Sequence, residues 1–142
     1  MISQRSESLK VRPKIHDYGC YFLSIAMMGW EYSEPEKEIS SDNIIKAYDE
    51  MIRKSYMRED CYILNPQKMI DYWKAGLRFI GRKEAYYELE ENETEIELWK
   101  LRRPKPKTWW YHFVYKSFDP WKRSKTRAEG ELDSYRVFKG GK

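Results

Sequence analysis

Asp17-Tyr18-Gly19-Cys20-Tyr21-Phe22-Leu23-Ser24-Ile25-Ala26-Met27-Met28 leads from a polar approach through a glycine into a cysteine. Of the residues after the cysteine, only Ser24 is clearly polar. Read as a helix, the run is apolar on every side, which marks a helix buried in a domain core. It is too short to cross a bilayer, which takes about 20 residues. Asp17 is the expected N-cap, its side chain accepting from the amides that open the helix. Cys20 then falls in the first turn, where the positive end of the helix dipole favours a thiolate. That makes Cys20 a candidate nucleophile.

A nucleophilic thiol needs a base, and the chain has only two histidines. His16 lies in the approach to Cys20. His112 lies far downstream in Trp109-Trp110-Tyr111-His112-Phe113-Val114-Tyr115, whose aromatic and β-branched residues predict a strand. Seven residues later Asp119 precedes Pro120, a residue that ends strands. The order is a cysteine on a helix, a histidine on a strand, then a carboxylate.

Gly19-Cys20-Tyr21-Phe22-Leu23-Ser24, His112-Phe113-Val114 and Asp119-Pro120 together resemble the papain-like cysteine peptidase superfamily. The likeness is to the bacteriocin-processing (C39-like) type and to small phage-borne relatives of unknown function. It implies an α+β fold in which N-terminal helices, with the nucleophile helix buried, pack on a C-terminal antiparallel sheet. It also implies a peptidase or amidase that cleaves a peptide or isopeptide bond by acyl transfer to the thiol. In that reading His112 takes the thiol proton and Asp119 fixes the imidazole. The Cys20 amide and one further donor meet the oxyanion. The family pattern carries a glutamine shortly before the cysteine for this task, and here that place is Lys14. Lys14 and then His16 are the candidates for the second donor. The interval from His112 to Asp119 also departs from the pattern, being short for a hairpin between them.

A chain of 142 residues reads as one domain over 1–142, large enough for a real core. With 41% hydrophobic and 16% aromatic residues it is not a disordered chain. A net charge of +4 is too mild to imply nucleic acid by itself. Residues 1–14 are polar and basic without an apolar h-region, so no secretory signal is expected. Cys20 and Cys61 are too far apart in sequence to suggest a disulfide, and a reduced, cytoplasmic protein is the expectation. Cys61, beside Asp60, reads as structural. No CxxC or finger spacing and no phosphate-cradling glycine loop occurs, so no metal or cofactor is expected.

Residues 1–16 read as an extended lead-in, with Pro13 keeping Arg12 out of helical geometry. Ser41-Asp42 caps a second helix whose Ile44, Ile45, Tyr48, Met51, Ile52 and Tyr56 follow the i, i+3, i+4 rule. Asn65 and Pro66 open a third helix through Met69, Ile70 and Trp73, with Gly76 as terminator. From Glu84 onward Tyr87, Leu89, Ile96 and Leu98 alternate with glutamates, predicting two antiparallel strands joined at Glu91-Asn92-Glu93. A polar loop is expected over 121–131 and a closing strand over Ser134-Tyr135-Arg136-Val137-Phe138. Helices first and strands afterwards is an α+β order.

Two binding readings compete with the enzyme. The basic loop containing Arg102, Arg103, Lys105 and Lys107, followed by Trp109, Trp110 and Tyr111, is suited to phosphates and bases. The seven glutamates from Glu84 to Glu97 repel nucleic acid, so a nucleic-acid partner is not favoured. The other is a catalytically inactive papain-like scaffold that binds a protein, for example a phage-encoded inhibitor of a host protein or nucleoprotein complex. Lys14 in the glutamine position supports it. The expected partner or substrate is a protein or peptide, with nucleic acid possible but not favoured, and no membrane is involved.

Overall fold

The computed structural model describes residues 3–4, 6–102, 108–116, 118–120 and 124–140. Its chain opens with a 3-10 turn over Glu7–Leu9 and a short helix α1, Pro13–Tyr18. This replaces the extended lead-in expected from Pro13. Arg12 is indeed held outside helical geometry, but Pro13 sits at the first helical position, where its fixed φ favours helix and its missing amide costs nothing. Leu9 and Ile15, both fully buried, anchor the segment.

Helix α2 runs Cys20–Ser33, and Gly19 is its N-cap. Asp17 is not the cap, because α1 continues through Tyr18 and Asp17 pairs with His16 at 2.9 Å instead. The junction is tight. Gly19 donates its amide to Ile15 O at 2.9 Å, and a Cβ at Gly19 would stand 2.5 Å from that same oxygen. Phe22, Leu23, Ile25, Ala26 and Met28 are fully buried, as a helix apolar all round requires. Ser24 satisfies its hydroxyl on Cys20 O at 2.8 Å, one turn back.

Helix α3, Ser41–Arg53, is capped by Ser40, one residue before the expected Ser41. Ser40 and Asn43 form a capping box, and Ile44, Ala47, Tyr48 and Met51 are buried. Tyr48 meets Phe22 of α2 edge-on at 5.9 Å. Helix α4, Pro66–Asp71, is capped by Asn65 as its sequence predicts. Beyond it Trp73 lies edge-on to Trp30 at 5.2 Å and over the bare backbone of Gly29.

Four antiparallel strands follow: β1 Leu77–Glu84, β2 Glu93–Arg102, β3 Trp109–Val114 and β4 Glu131–Gly140, in the order β1-β4-β2-β3. The architecture is α+β, with helices against an antiparallel sheet. The strand expected around Tyr87 and Leu89 lies earlier, at β1. Leu77 is buried there and Phe79 packs half-buried against the core, and Gln67 of α4 pins that segment by taking the Phe79 amide at 2.6 Å and donating to Leu77 O at 3.0 Å. The glutamate alternation after Glu84 produces a connection instead, with Tyr86 exposed and Tyr87 bonded to Glu93. Part of the expected loop is also helical: α5 spans Lys125–Glu129 and is capped by Ser124. Among the described residues no helix is long and apolar enough to cross a membrane.

A Cβ at Gly29 would enter the Trp73 ring at 2.6 Å, and a buried indole between two elements has nowhere to retreat. Gly29→Ala is expected to destabilise the fold by about 1–3 kcal/mol, as overpacking does. Urea unfolding checks this, and an unchanged midpoint would contradict the packing of α2 against Trp73.

Candidate active site

Cys20 is the first residue of α2 and is half-buried. Helix α2 lies against β3, and Tyr21 stacks on Phe113 with ring centroids 4.2 Å apart and planes 15° from parallel. That stack aligns the start of the helix with the strand. The residues just before each ring, Cys20 and His112, are brought near enough for the thiol to act on the imidazole. His112 pairs with Trp99 across the β2–β3 ladder and is fully buried.

The short interval to Asp119 is closed by a tight turn. Tyr115 and Phe118 exchange both backbone hydrogen bonds, at 3.0 and 2.8 Å, and Lys116 adopts a left-handed φ of 51°. Asp119 returns beside the strand and accepts from His112 Nε2 at 2.6 Å through Oδ1. Its Oδ2 accepts from the Ser124 amide at 3.0 Å and the Ser124 hydroxyl at 2.7 Å. With Nε2 on the carboxylate, Nδ1 is the nitrogen that the thiol proton can reach.

Burial, the largest influence on His112, works against the charged ring. Hydrogen bonds to Asp119 and Cys20, with their charges, outweigh it and push His112 up to about 9. Cys61 is instead held in its neutral form. Burial first, then the charges of Cys20 and Asp60, push its thiol up to about 12. Its sulfur donates to Lys14 O at 3.6 Å, a structural contact as its sequence setting suggests.

Lys14 and His16 are not drawn to the cysteine by any described contact. Lys14 Nζ lies 5.4 Å over the Tyr18 ring and borders a separate depression with Arg58 and Asp60. The His16 ring bonds Asp17, and its carbonyl accepts from Gln4 Nε2 at 3.0 Å. Arg102 closes β2 opposite Trp109, its guanidinium 5.5 Å above that ring. Arg103, Lys105 and Lys107 fall outside the described residues. Among the described residues no group of three or more His, Cys, Asp or Glu is arranged to hold a metal.

Two supporting residues escaped the sequence reading. Ser124 both caps α5 and grips Asp119; its signal was a serine opening a short helical run, hidden in a polar stretch. Gln4, fully buried, donates its amide to Pro120 O at 2.7 Å and its side chain to His16 O, tying the Asp119-Pro120 corner to α1. A lone glutamine near the start of a chain carries no such signal.

Two outcomes follow from this geometry. Ser124→Ala removes one donor to Asp119 and the α5 cap, and is expected to cost about 1–2 kcal/mol in urea unfolding. His112 is held above its ordinary 6.5, so its contribution to stability is complete below pH 6.5 and is lost as pH rises toward about 9. The urea midpoint of the wild type therefore falls across that window, and Asp119→Asn flattens the fall. A midpoint that rises from pH 6.5 to 9 would contradict the His112–Asp119 pair.

No curated protein and no solved structure matches the chain. Residues 1–140 match the model of a family described as "Protein of unknown function, DUF261", and the chain belongs to that family.

Proposed function

We propose that the chain is a papain-like cysteine hydrolase that cleaves a peptide, isopeptide or related amide bond. One observation carries the reading: Cys20 at a helix start contacts a buried His112 whose other nitrogen is held by Asp119, itself held by Ser124. The order of these groups along the chain supports the papain-like assignment, and a free, half-buried thiol suits a reducing, cytoplasmic setting.

In this mechanism His112 Nδ1 takes the Cys20 proton, and the thiolate attacks the carbonyl carbon. The resulting oxyanion is met by the Cys20 amide, one of the unpaired amides at a helix start. The imidazolium gives its proton to the leaving amine as the C–N bond breaks, leaving a thioester. Water, deprotonated by His112, then attacks the thioester; the acid departs and the thiol is restored. Asp119 fixes the ring orientation and stabilises its charge through both protonated stages. Lys14 and His16 remain the proposed sources of a second oxyanion donor.

The second reading is a papain-like scaffold without activity that binds a protein partner. One observation favours it: Lys14, standing where the family pattern has glutamine, lies along Tyr18 and borders a different depression.

Iodoacetamide labelling followed by mass spectrometry separates the two. An assembled site labels Cys20 at pH 6.5 at least about tenfold faster than an ordinary cysteine, and His112→Ala abolishes the excess. Cys61, buried, serves as the unreactive internal reference. Labelling of Cys20 at the ordinary rate, unaffected by His112→Ala, sinks the hydrolase and leaves the scaffold, which then tolerates Cys20→Ser without loss of partner binding.

A further inference from the structure

We propose that the groove beside Cys20 binds a carboxylate on the substrate, with Arg136 as its receptor. The proposal deepens the hydrolase reading and rests on it, because it assigns the substrate class to the same thiol. The groove has a volume of about 390 Å³ and opens past Cys20 between Tyr21, Phe79, Phe113 and Ile63. Arg136 is the one charged side chain among its described lining residues.

Arg136 stands on β4, the strand between β1 and β2, opposite Ile96. Its Nη1 donates to Ser134 Oγ at 3.0 Å and to Tyr135 O at 3.4 Å, and its guanidinium lies 5.5 Å over the Phe113 ring. These contacts fix the plane of the fork while Nε and Nη2 make no described hydrogen bond. Nor does Arg136 form an ion pair among the described residues. Asp133, the acid nearest to it in effect, is engaged by Lys100 at 3.3 Å, Arg82 at 3.7 Å and the Ser134 hydroxyl.

A half-buried guanidinium in an aromatic groove is costly without an anion, since burial disfavours its charge. Its planar fork matches a carboxylate better than any other small anion except phosphate. A guanidinium fork in this groove, uncommitted to any acid among the described residues, describes a carboxylate cradle. Because Cys20 and Arg136 line the same groove, a carboxylate held there lies on the substrate near the bond that the thiol attacks. The groups that carry such a carboxylate are an acidic side chain next to the cleaved bond and a chain-terminal carboxylate.

Paired alkylating agents test this, since iodoacetate and iodoacetamide differ only in carboxylate against amide and both transfer their carbon to sulfur with loss of iodide. The quantity read is the ratio of their rates at Cys20, relative to the same ratio for N-acetylcysteine amide. It is expected to exceed the reference by about tenfold, the worth of one charged hydrogen-bonded contact. Arg136→Gln is expected to remove most of that excess, and Arg136→Lys, which keeps the charge, to retain a good part of it. A wild-type ratio equal to the reference overturns the proposal, as does an excess that survives Arg136→Gln or vanishes equally from both variants. The ratio is legible even where the iodoacetamide rate is ordinary, so failure of the nucleophile and failure of the cradle are separate results. Protection of Cys20 by N-acetylaspartic amide then points to an acidic side chain, and protection by N-acetylglycine to a terminal carboxylate; protection by neither counts against the cradle.

Discussion

A helix with apolar side chains on all sides has to be covered on all sides, and most of this molecule is the cover for α2. Five of its apolar residues, Phe22, Leu23, Ile25, Ala26 and Met28, have no exposure at all. Burying side chains of this kind contributes about 1.5–3 kcal/mol each. Tyr48 of α3 closes one flank and Trp73 another, the latter only because Gly29 leaves room for its ring. The sheet closes a third through Phe113. The helix reaches the surface at its ends: Glu31 and Tyr32 are exposed in the last turn, and Cys20 is half-buried in the first.

That emergence explains how a reactive geometry coexists with a packed core. The stack of Tyr21 on Phe113 is a packing contact, yet it also sets the cysteine beside the histidine that precedes Phe113. From His112 the hydrogen bonds continue outward through Asp119 to Ser124. A buried imidazole would ordinarily stay neutral. Here the carboxylate and the thiol reverse that preference, and the low local dielectric strengthens both contacts.

The same aromatic pair walls the groove in which Arg136 lies, so one contact serves alignment of the thiol and shape of the binding surface together. The central position of β4 is what allows this. As the last strand in sequence but an inner one in space, it delivers Arg136 to the middle of the sheet, beneath the helix start. Gln4 and Ser3 from the beginning of the chain close on Pro120 and brace the corner that carries Asp119.

The sequence by itself determined the buried cysteine helix, the amphipathic α3, the Asn65-Pro66 start of α4 and the histidine strand. Each of these is a local pattern of periodicity, capping or β-branching, legible within a dozen residues. The order Cys20, His112, Asp119 was legible too, because chain order survives folding. Tertiary structure decided which stretch beyond α4 became a strand. Leu77 and Phe79 won over Tyr87 and Leu89 because Gln67 and the core could reach them, a distinction absent from alternation alone. It also decided the insertion of β4 between β1 and β2, the roles of Ser124 and Gln4, and the meeting of Arg136 with Cys20. These depend on residues distant in the chain sharing one place, and such coincidences are set by packing rather than by local propensity.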